Sequence, residues 1–172
     1  MISNMPVVIS DSSTLINLAG IGRLYLLHEM FGRVIIPHSV WDEVVLRGDL
    51  HGASEVREAR DSGWISIQKT VNTAVVNLLG LGLHRGEAEA IALAIEQNAD
   101  LILLDETDAR QVAAISGLKK TGVIGILIKA KTEGKIGSLR LELNTLTDTM
   151  GFFIDDRLYC QTLSFVNEID ET

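Results

Sequence analysis

The alternation of short apolar segments with helical patterns constrains the fold of this chain more than any other feature. Four short segments are apolar or β-branched and are bounded by polar or turn residues, which is typical of buried strands. Helical patterns lie between them. Strands that alternate with helices form βαβ units, in which helices cover both faces of a parallel sheet. The predicted strands are Val7–Ser10, Val34–Ile36, Trp64–Ile67 and Leu101–Leu104.

The helices are predicted from apolar residues that recur at spacings of three and four. The first helix is expected to run through Thr14–Leu27, with Gly20 and Gly22 as its weak points. After Thr121 the pattern is helical only. The other predicted helices are Ser39–Leu46, Ser54–Ser62, Glu87–Asn98, Thr107–Ile115, Val123–Glu133, Leu139–Met150 and Arg157–Glu168.

Composition limits the setting in which the chain works. Apolar runs such as Val123–Ile128 are far shorter than the ~20 residues of a membrane helix. The N-terminal residues lack the basic and apolar regions of a secretion signal. Cys160 is the single cysteine, so no internal disulfide can form, and a reducing, cytoplasmic setting is the simplest inference. We expect Cys160 to be a small buried residue.

The formal net charge of −8 bears on nucleic-acid binding. A protein that binds nucleic acid by neutralising phosphates usually carries a basic patch, so this charge argues against tight, non-specific binding. It does not argue against a nuclease, because bound cations reverse the local sign of a carboxylate site.

Two aspartates come directly after the first and fourth predicted strands. They are Asp11 and Asp105. Ligands of an open parallel sheet bind outside the carboxyl ends of its strands, so the two side chains meet if their strands are neighbours. Each aspartate could instead be the N-cap of the helix that follows. Ser12, Ser13 and Thr107 could cap those helices equally well.

Two glutamates in predicted helices are further candidates. Ser39 and Asp42 match a capping box, which leaves Glu43 beside the apolar stripe, either at its edge or aimed into a cleft. Glu87 opens its helix, where the helix dipole would stabilise it. By i, i+4 spacing Glu87 shares the buried face, whereas Glu89 projects elsewhere and is expected to be solvated.

Close carboxylates of this kind are costly unless a cation binds them. Without metal they repel one another and raise each other's pKa. Magnesium prefers oxygen ligands and keeps several waters, and two such ions can activate water and stabilise a leaving oxygen in phosphodiester cleavage. A zinc site has little support, because the chain has one cysteine and its histidines have no paired spacing. These histidines are His28, His38, His51 and His84.

Four blocks of the sequence, taken in order, resemble the PIN domain, and most closely the VapC-like toxin ribonucleases and their uncharacterised prokaryotic relatives. The interval between Glu87 and Asp105 also suits the third and fourth acids of that family. The resemblance covers roughly residues 5–130. The blocks are Asp11–Ile16, Pro37–Val44, Gly86–Ala92 and Leu103–Asp105.

The resemblance implies a three-layer α/β/α sandwich with a central parallel sheet, followed by C-terminal helices. It places a PIN-like nuclease domain at residues 1–130 and a helical extension, packed on that domain, at residues 131–172. It also implies a metal-dependent endoribonuclease that uses Mg²⁺ or Mn²⁺ to hydrolyse RNA, commonly as the toxin of a toxin-antitoxin system with a protein antitoxin. Apolar helix faces suggest self-association as a homodimer.

The resemblance also identifies the acids that would hold the metal. Many relatives have aspartate at the third position, so Glu87 reaches one methylene further. A further acid after the fourth strand is common, and Asp108 is favoured over Glu106 because it lies one helical turn beyond Asp105. The acids carried over as catalytic and metal-binding are Asp11, Glu43, Glu87 and Asp105, with Asp108 as an additional metal ligand.

Several polar residues near these acids could contact substrate. Ser12 or Ser13 could hydrogen-bond a metal-bound water or a phosphate, although capping a helix is the simpler role. Arg110 and the pair Lys119 and Lys120 could contact RNA phosphate, although solvated surface charge is the default for such residues.

Other functions explain fewer of these residues. A dinucleotide-binding fingerprint requires Gly-x-Gly-x-x-Gly, but Arg85 occupies the third glycine position and Gly86 is one residue late. A haloacid-dehalogenase phosphatase needs a second acid where Ser13 stands, and the chain has no P-loop. The non-enzymatic alternative is a catalytically silent PIN-like module that binds proteins.

Overall fold

The computed structural model describes residues 5–47 and 52–169, so His51 and the first four residues lie outside the description. One five-stranded sheet has the order β3-β2-β1-β4-β5, and every neighbouring pair is parallel. The short β5 was not predicted, because its Lys-Thr sequence has no apolar signal. The strands are β1 Val8–Ser10, β2 Val34–Pro37, β3 Ile65–Gln68, β4 Leu101–Leu103 and β5 Lys120–Thr121.

Helices flank this sheet on both faces. A π turn, Asp42–Leu46, directly continues α3. The helices are α1 Ser12–Gly20, α2 Tyr25–Phe31, α3 His38–Trp41, α4 Ala53–Asp61, α5 Thr73–Leu79, α6 Arg85–Glu96, α7 Thr107–Ile115, α8 Val123–Thr132, α9 Leu139–Met150 and α10 Asp156–Phe165.

The two cores on either side of the sheet follow from the alternation of side chains along each strand. In β1, Val8 packs in the core formed with α1, α2, α8 and α9, whereas Ile9 packs in the core formed with α6 and α7. In β4, Leu103 joins the first core and Ile102 the second. The predicted three-layer α/β/α sandwich with a central parallel sheet is therefore confirmed.

Two predicted helices differ from the structure. The segment Thr14–Leu27 forms two helices rather than one, because Gly22 has a φ of +70°, a left-handed backbone that breaks the run. The segment Ser39–Leu46 begins as an α-helix but changes to a π turn, in which the Arg47 amide donates to the Asp42 carbonyl at 2.9 Å. Helix α5 was not predicted.

The C-terminal helices pack on the rest of the chain. Leu139, Leu143 and Leu146 of α9 are buried in the same core as α1 and α8. The division of the chain into residues 1–130 and 131–172 stays a prediction. Cys160 is exposed on α10, so the expectation that it is buried was wrong. Within residues 5–47 and 52–169, no helix has the length and apolar character to cross a membrane.

Candidate active site

The order of the sheet reverses between β1 and β4, and the first and fourth acids follow these two strands. Ser10 at the end of β1 pairs with Leu103 at the end of β4. The Asp11 amide then donates to the Leu103 carbonyl at 3.1 Å. Asp11 and Asp105 therefore lie at the switch point of the sheet, which is where ligands of open α/β sheets bind.

Asp11 is almost completely buried and only half of its carboxylate is hydrogen-bonded. It caps α1, because its Oδ1 accepts from the Thr14 amide at 3.0 Å, so neither Ser12 nor Ser13 is the cap. The side chain is 1% exposed, and Oδ2 has no hydrogen-bond partner among the described residues. Burial, with the nearby charge of Asp105, raises the pKa of Asp11 to about 8.

Asp105 is held in place by hydrogen bonds to both of its oxygens. Oδ1 accepts from the Val123 amide at 2.8 Å, and Oδ2 accepts from Thr14 Oγ1 at 3.1 Å. Burial raises the pKa of Asp105, although these hydrogen bonds oppose the shift. Arg110 is a partly buried neighbour whose Nη1 donates to the Leu104 carbonyl at 2.8 Å, so it is not simply a solvated surface charge.

Gly122 makes room for the Asp105 carboxylate. A Cβ at this position would overlap Asp105 Oδ1 and lie 2.9 Å from the Leu104 carbonyl oxygen. The φ of Gly122 is −138°, which any residue adopts, so the requirement for glycine is one of space. Sequence reasoning missed this residue, because a glycine ahead of a helix is too common to signal a site.

The two glutamates reach the site from α6 and from the π turn. Glu87 is buried, and its Oε2 accepts from the His84 amide at 3.0 Å. Burial raises the pKa of Glu87, and the charges of Glu106 and Glu43 raise it further. Glu43 is exposed, and its Oε2 accepts from Ser12 Oγ at 2.6 Å. That bond joins the start of α1 to the π turn.

Gly86 allows the first turn of α6 to approach this pair closely. A Cβ on Gly86 would lie 3.3 Å from Glu43 Oε2 and 3.3 Å from Ser12 Oγ. Such contacts are tighter than ordinary van der Waals distances, so a larger residue would require the Glu43 carboxylate or the Ser12 hydroxyl to shift.

Glu43 and Glu87 line an open cleft of about 320 Å³, which we call the acid cleft, whereas Asp11 and Asp105 are not on its wall. Glu106 lines it together with Glu43 and Glu87, whereas Asp108 lines an adjoining cavity with Glu87 and Glu106. Both Ser12 and Ser13 are on its wall. Glu106 is therefore at least as well placed as Asp108 to be the additional acid.

Two sequence-based expectations around α3 were wrong. Ser39 is not a helix cap, because α3 already begins at His38, and the buried Ser39 Oγ has no hydrogen-bond partner in the described part of the chain. Glu89 is not solvated, because it is 8% exposed and accepts from the Ser39 amide at 3.3 Å and from Arg85 Nε at 2.8 Å. Burial raises the pKa of Glu89, but these hydrogen bonds outweigh it and lower the pKa overall.

The donors at the switch point suit a hard divalent cation. Within residues 5–47 and 52–169, no three His, Cys, Asp or Glu side chains already converge on one cation position. Magnesium, however, keeps several waters and commonly takes only one or two protein carboxylates. Asp11 offers a buried oxygen that has no partner among the residues described, and burial, with the nearby charges of Asp105 and Glu87, raises its pKa. The oxygen-only donor set therefore fits such an ion.

Comparison with known families gives one result for almost the whole chain. The DUF3368 family model, which describes a PIN domain, matches residues 7–168. The matched range contains every strand and helix described above and all the acids of the site. A comparison with curated proteins gives no match.

Proposed function

Because the chain belongs to the PIN-domain family, we propose that it is a metal-dependent endoribonuclease that hydrolyses RNA phosphodiester bonds. PIN domains are generally nucleases, and such nucleases generally use divalent metals. The observation that carries the proposal is the buried Oδ2 of Asp11, which has no partner in residues 5–47 and 52–169. Asp11 lies close enough to Asp105 and Glu87 for their charges to raise its pKa. A buried carboxylate with an unsatisfied oxygen is costly unless a cation binds it.

Asp11 and Asp105 are the residues that we assign to direct metal binding, with Mg²⁺ or Mn²⁺ as the ion. Glu43 and Glu87 complete the site, with either Glu106 or Asp108 as an additional acid. When bound, the cation lowers the pKa of its water and neutralises charge that develops on the phosphate.

The chain's own residues orient the site and move the proton. Ser12 donates to Glu43 Oε2 and so fixes the direction of that carboxylate at the mouth of the cleft. Glu87 is held through Oε2 by His84, and we assign proton acceptance from the attacking water to its other oxygen, Oε1. Burial raises the pKa of Glu87, which brings this base closer to neutral pH, where general bases are most effective.

The first test is cleavage of labelled RNA and single-stranded DNA panels with Mg²⁺ or Mn²⁺. We expect EDTA and Asp11→Asn each to reduce cleavage at least about a hundredfold, because a metal at a phosphoryl oxygen contributes several kcal/mol. The matched control is Asp148→Asn, the same charge change at an exposed position of α9. Cleavage that persists equally in EDTA and in Asp11→Asn would show that the acid site is not its source.

The toxin role is a finer proposal that rests on the resemblance to VapC-like ribonucleases. In the cytoplasm, such a toxin would be held inactive by a protein antitoxin and would form a homodimer through exposed apolar helix positions such as Leu78 and Phe165. Induced expression should arrest growth with the wild-type chain but not with Asp11→Asn. A monomer by light scattering at high concentration would contradict the dimer.

A catalytically silent protein-binding module is the second candidate. It is favoured by the protein donors that already occupy the acids, since His84 binds Glu87, Ser12 binds Glu43 and Val123 binds Asp105. Isothermal titration with Mn²⁺ separates the two candidates. Binding that Asp11→Asn abolishes supports the nuclease, and no binding by the folded wild type supports the silent module.

A further inference from the structure

Three cavities adjoin one another along the first turns of α6. The acid cleft shares Glu43, His84 and Gly86 with a second cavity of about 290 Å³ beside the π turn. That second cavity shares Arg85 with the largest one, of about 610 Å³, between α3, α5 and α6. We call the second and third cavities together the side groove. A ligand in the second cavity therefore lies directly beside the acid cleft, and a ligand in the largest cavity reaches it past Arg85.

Basic residues line the side groove even though the chain as a whole is acidic. Arg47, Lys69 and Arg85 are on its walls. Arg47 and Lys69 form no ion pair with any residue that the structure describes. Arg85 is 79% exposed and binds Glu89 through Nε alone, which is one of the five N–H donors of a guanidinium. These cations can therefore still bind an anionic ligand.

Three acids are on the same walls, so the excess of cations is confined to the largest cavity, where Lys69 and Arg85 lie with one acid, Glu89. Glu89 is the partner that orients Arg85, so its charge is already matched. Asp42 and Glu43 are the other acids of the side groove, and both are in its second cavity. Asp42 lies near enough to Arg85 to raise the pKa of the guanidinium, after the larger contribution of Glu89. His38 and His84 add two groups that can donate hydrogen bonds.

Helix α5 and the segment that follows it supply the apolar wall of the side groove. None of the residues of α5 is buried, and the wall presents Val76, Leu81 and Leu83 beside the polar Thr73 and Asn77. Leu81 is 85% exposed. Apolar and amide groups next to cations suit unpaired bases, whose faces and edges are accessible, whereas the bases of a duplex are stacked inside it.

Glu96 holds this wall in position. Its Oε1 accepts from the Asn72 amide at 2.8 Å and from the Val71 amide at 3.1 Å, and it also binds the Thr70 hydroxyl. These hydrogen bonds lower the pKa of Glu96 in spite of partial burial, so it stays ionised at neutral pH. The start of α5 is thus tied to the end of α6, and the side groove is formed before ligand binds.

We propose that the side groove binds the single-stranded portion of a nucleic-acid substrate that flanks the phosphate in the acid cleft. Lys69 and Arg85 bind backbone phosphates, and the exposed Leu81, which follows α5, contacts bases. This inference rests on the proposed nuclease function, because it assigns the path of the substrate that reaches the same acids. In a chain of net charge −8, it places the substrate phosphates in the largest cavity, where cations outnumber acids.

The test measures binding separately from cleavage. Fluorescence anisotropy in EDTA compares an unstructured RNA of about 12 nucleotides, within the range that single-strand grooves cover, with a dinucleotide and with a duplex. We expect Lys69→Glu to weaken binding of the long single strand about tenfold. The slope of the logarithm of the binding constant against the logarithm of salt concentration should become shallower by about 0.7 per lost phosphate contact. Leu81→Ser should weaken the same ligand without changing the salt dependence.

The control variant is Arg157→Glu, which makes the same reversal from positive to negative at an exposed position of α10 that lines neither the side groove nor the acid cleft. Equal losses of single-strand binding in Lys69→Glu and Arg157→Glu would overturn the proposed role of the side groove. A duplex that binds as tightly as the single strand would also overturn it. If wild type cleaves RNA but Lys69→Glu binds single-stranded RNA like the control variant, only the proposal for the side groove is contradicted. If wild type neither binds nor cleaves any nucleic acid, the nuclease proposal fails with it.

Discussion

At the residue scale, the Asp11 carboxylate has two roles that use different oxygens. Oδ1 caps α1 through the Thr14 amide, which stabilises the fold with or without metal. Oδ2 is buried and has no partner in the described part of the chain, which destabilises the fold whenever the carboxylate is ionised and no cation is bound. The proposed function thus needs Asp11 in its ionised form, but that form destabilises the folded chain when no cation is bound.

This conflict predicts how stability depends on pH without metal. The pKa of Asp11 is raised from 3.8 to about 8, so the folded chain keeps a proton that the unfolded chain releases. The stabilisation from this proton is full below about pH 4 and is lost as pH rises toward 8. We expect the thermal midpoint in EDTA to fall between pH 5 and 8, and Asp11→Asn, which keeps a cap acceptor, to remove much of that fall.

The measurement is thermal unfolding followed by circular dichroism across that pH range. Asp148→Asn, at an exposed site, should keep the slope of wild type. An identical slope in wild type and Asp11→Asn would show that the proton is not on this residue. Saturating Mn²⁺ should reverse the trend, because it binds the ionised carboxylate and stabilises the folded state.

A second prediction concerns the space that Gly122 leaves for Asp105. In Gly122→Ala the added methyl would overlap Asp105 Oδ1, so the carboxylate or the start of α8 must shift. We expect a loss of about 1–3 kcal/mol in the free energy of unfolding, together with a loss of nuclease activity. Urea denaturation and RNA cleavage measure the two effects.

The control for that variant is Gly137→Ala. A Cβ at Gly137 meets nothing within 4 Å, and its φ is not in the left-handed range. It should leave both stability and cleavage near wild type. Equal behaviour of the two alanine variants would mean that the Asp105 pocket is not tightly packed.

At the element scale, the sequence predicted most elements because local patterns determine them. The apolar spacing of α7 and α9 gave their bounds correctly, and the aspartates at the ends of β1 and β4 were placed by strand direction alone. The Ser12–Glu43 bond was not predictable. It depends on the π turn, which tertiary packing imposes and no spacing of residues signals.

The predicted capping box of Ser39 and Asp42 was wrong for a similar reason, because contacts between elements are not visible in local sequence. Ser39 and Asp42 have the right spacing, but α3 starts at His38, so Ser39 lies inside the helix. Its amide is instead satisfied by Glu89 from α6, a contact between elements distant in sequence. Local sequence thus predicted most of the elements and the positions of Asp11 and Asp105 after β1 and β4, whereas contacts between elements decided which side chains are buried.

One such contact predicts a stability effect between α1 and α9. Arg23, which follows α1, binds Glu142 of α9 twice, at 2.7 Å and 3.0 Å, and Glu142 is 4% exposed. Removing Arg23 leaves a buried charge without its partner, so we expect Arg23→Met to cost about 3 kcal/mol in urea denaturation. The double variant with Glu142→Leu should recover most of that loss.

The comparison for this pair is a more exposed ion pair. Lys135 binds Glu29 at 3.3 Å, and we expect Lys135→Met to lower the free energy of unfolding by about 0–1 kcal/mol. A similar small cost for Arg23→Met would mean that Glu142 finds water or another donor when Arg23 is absent.

At the scale of the whole molecule, the C-terminal helices belong to the same core as the sheet. Helices α8 and α9 pack with Leu15 and Leu18 of α1, directly behind the segment that carries Asp11. The family match likewise continues to residue 168, past both α9 and α10. The position of Asp11 therefore depends on packing that begins at the other end of the chain.

This dependence predicts the outcome of removing the C-terminal helices. A chain of residues 1–134 lacks Leu139, Leu143 and Leu146, which are all buried. Each large core side chain contributes about 2–5 kcal/mol, and a domain is stable by only about 5–15 kcal/mol in total. We expect residues 1–134 to lose cooperative urea unfolding, whereas residues 1–154, which lack only α10 and its buried Leu163, should unfold cooperatively at a lower midpoint. If residues 1–134 unfold cooperatively and still bind Mn²⁺, then residues 131–172 are an extension that the nuclease domain does not need. If residues 1–134 neither unfold cooperatively nor bind Mn²⁺, the acid site and the C-terminal helices form one cooperative unit.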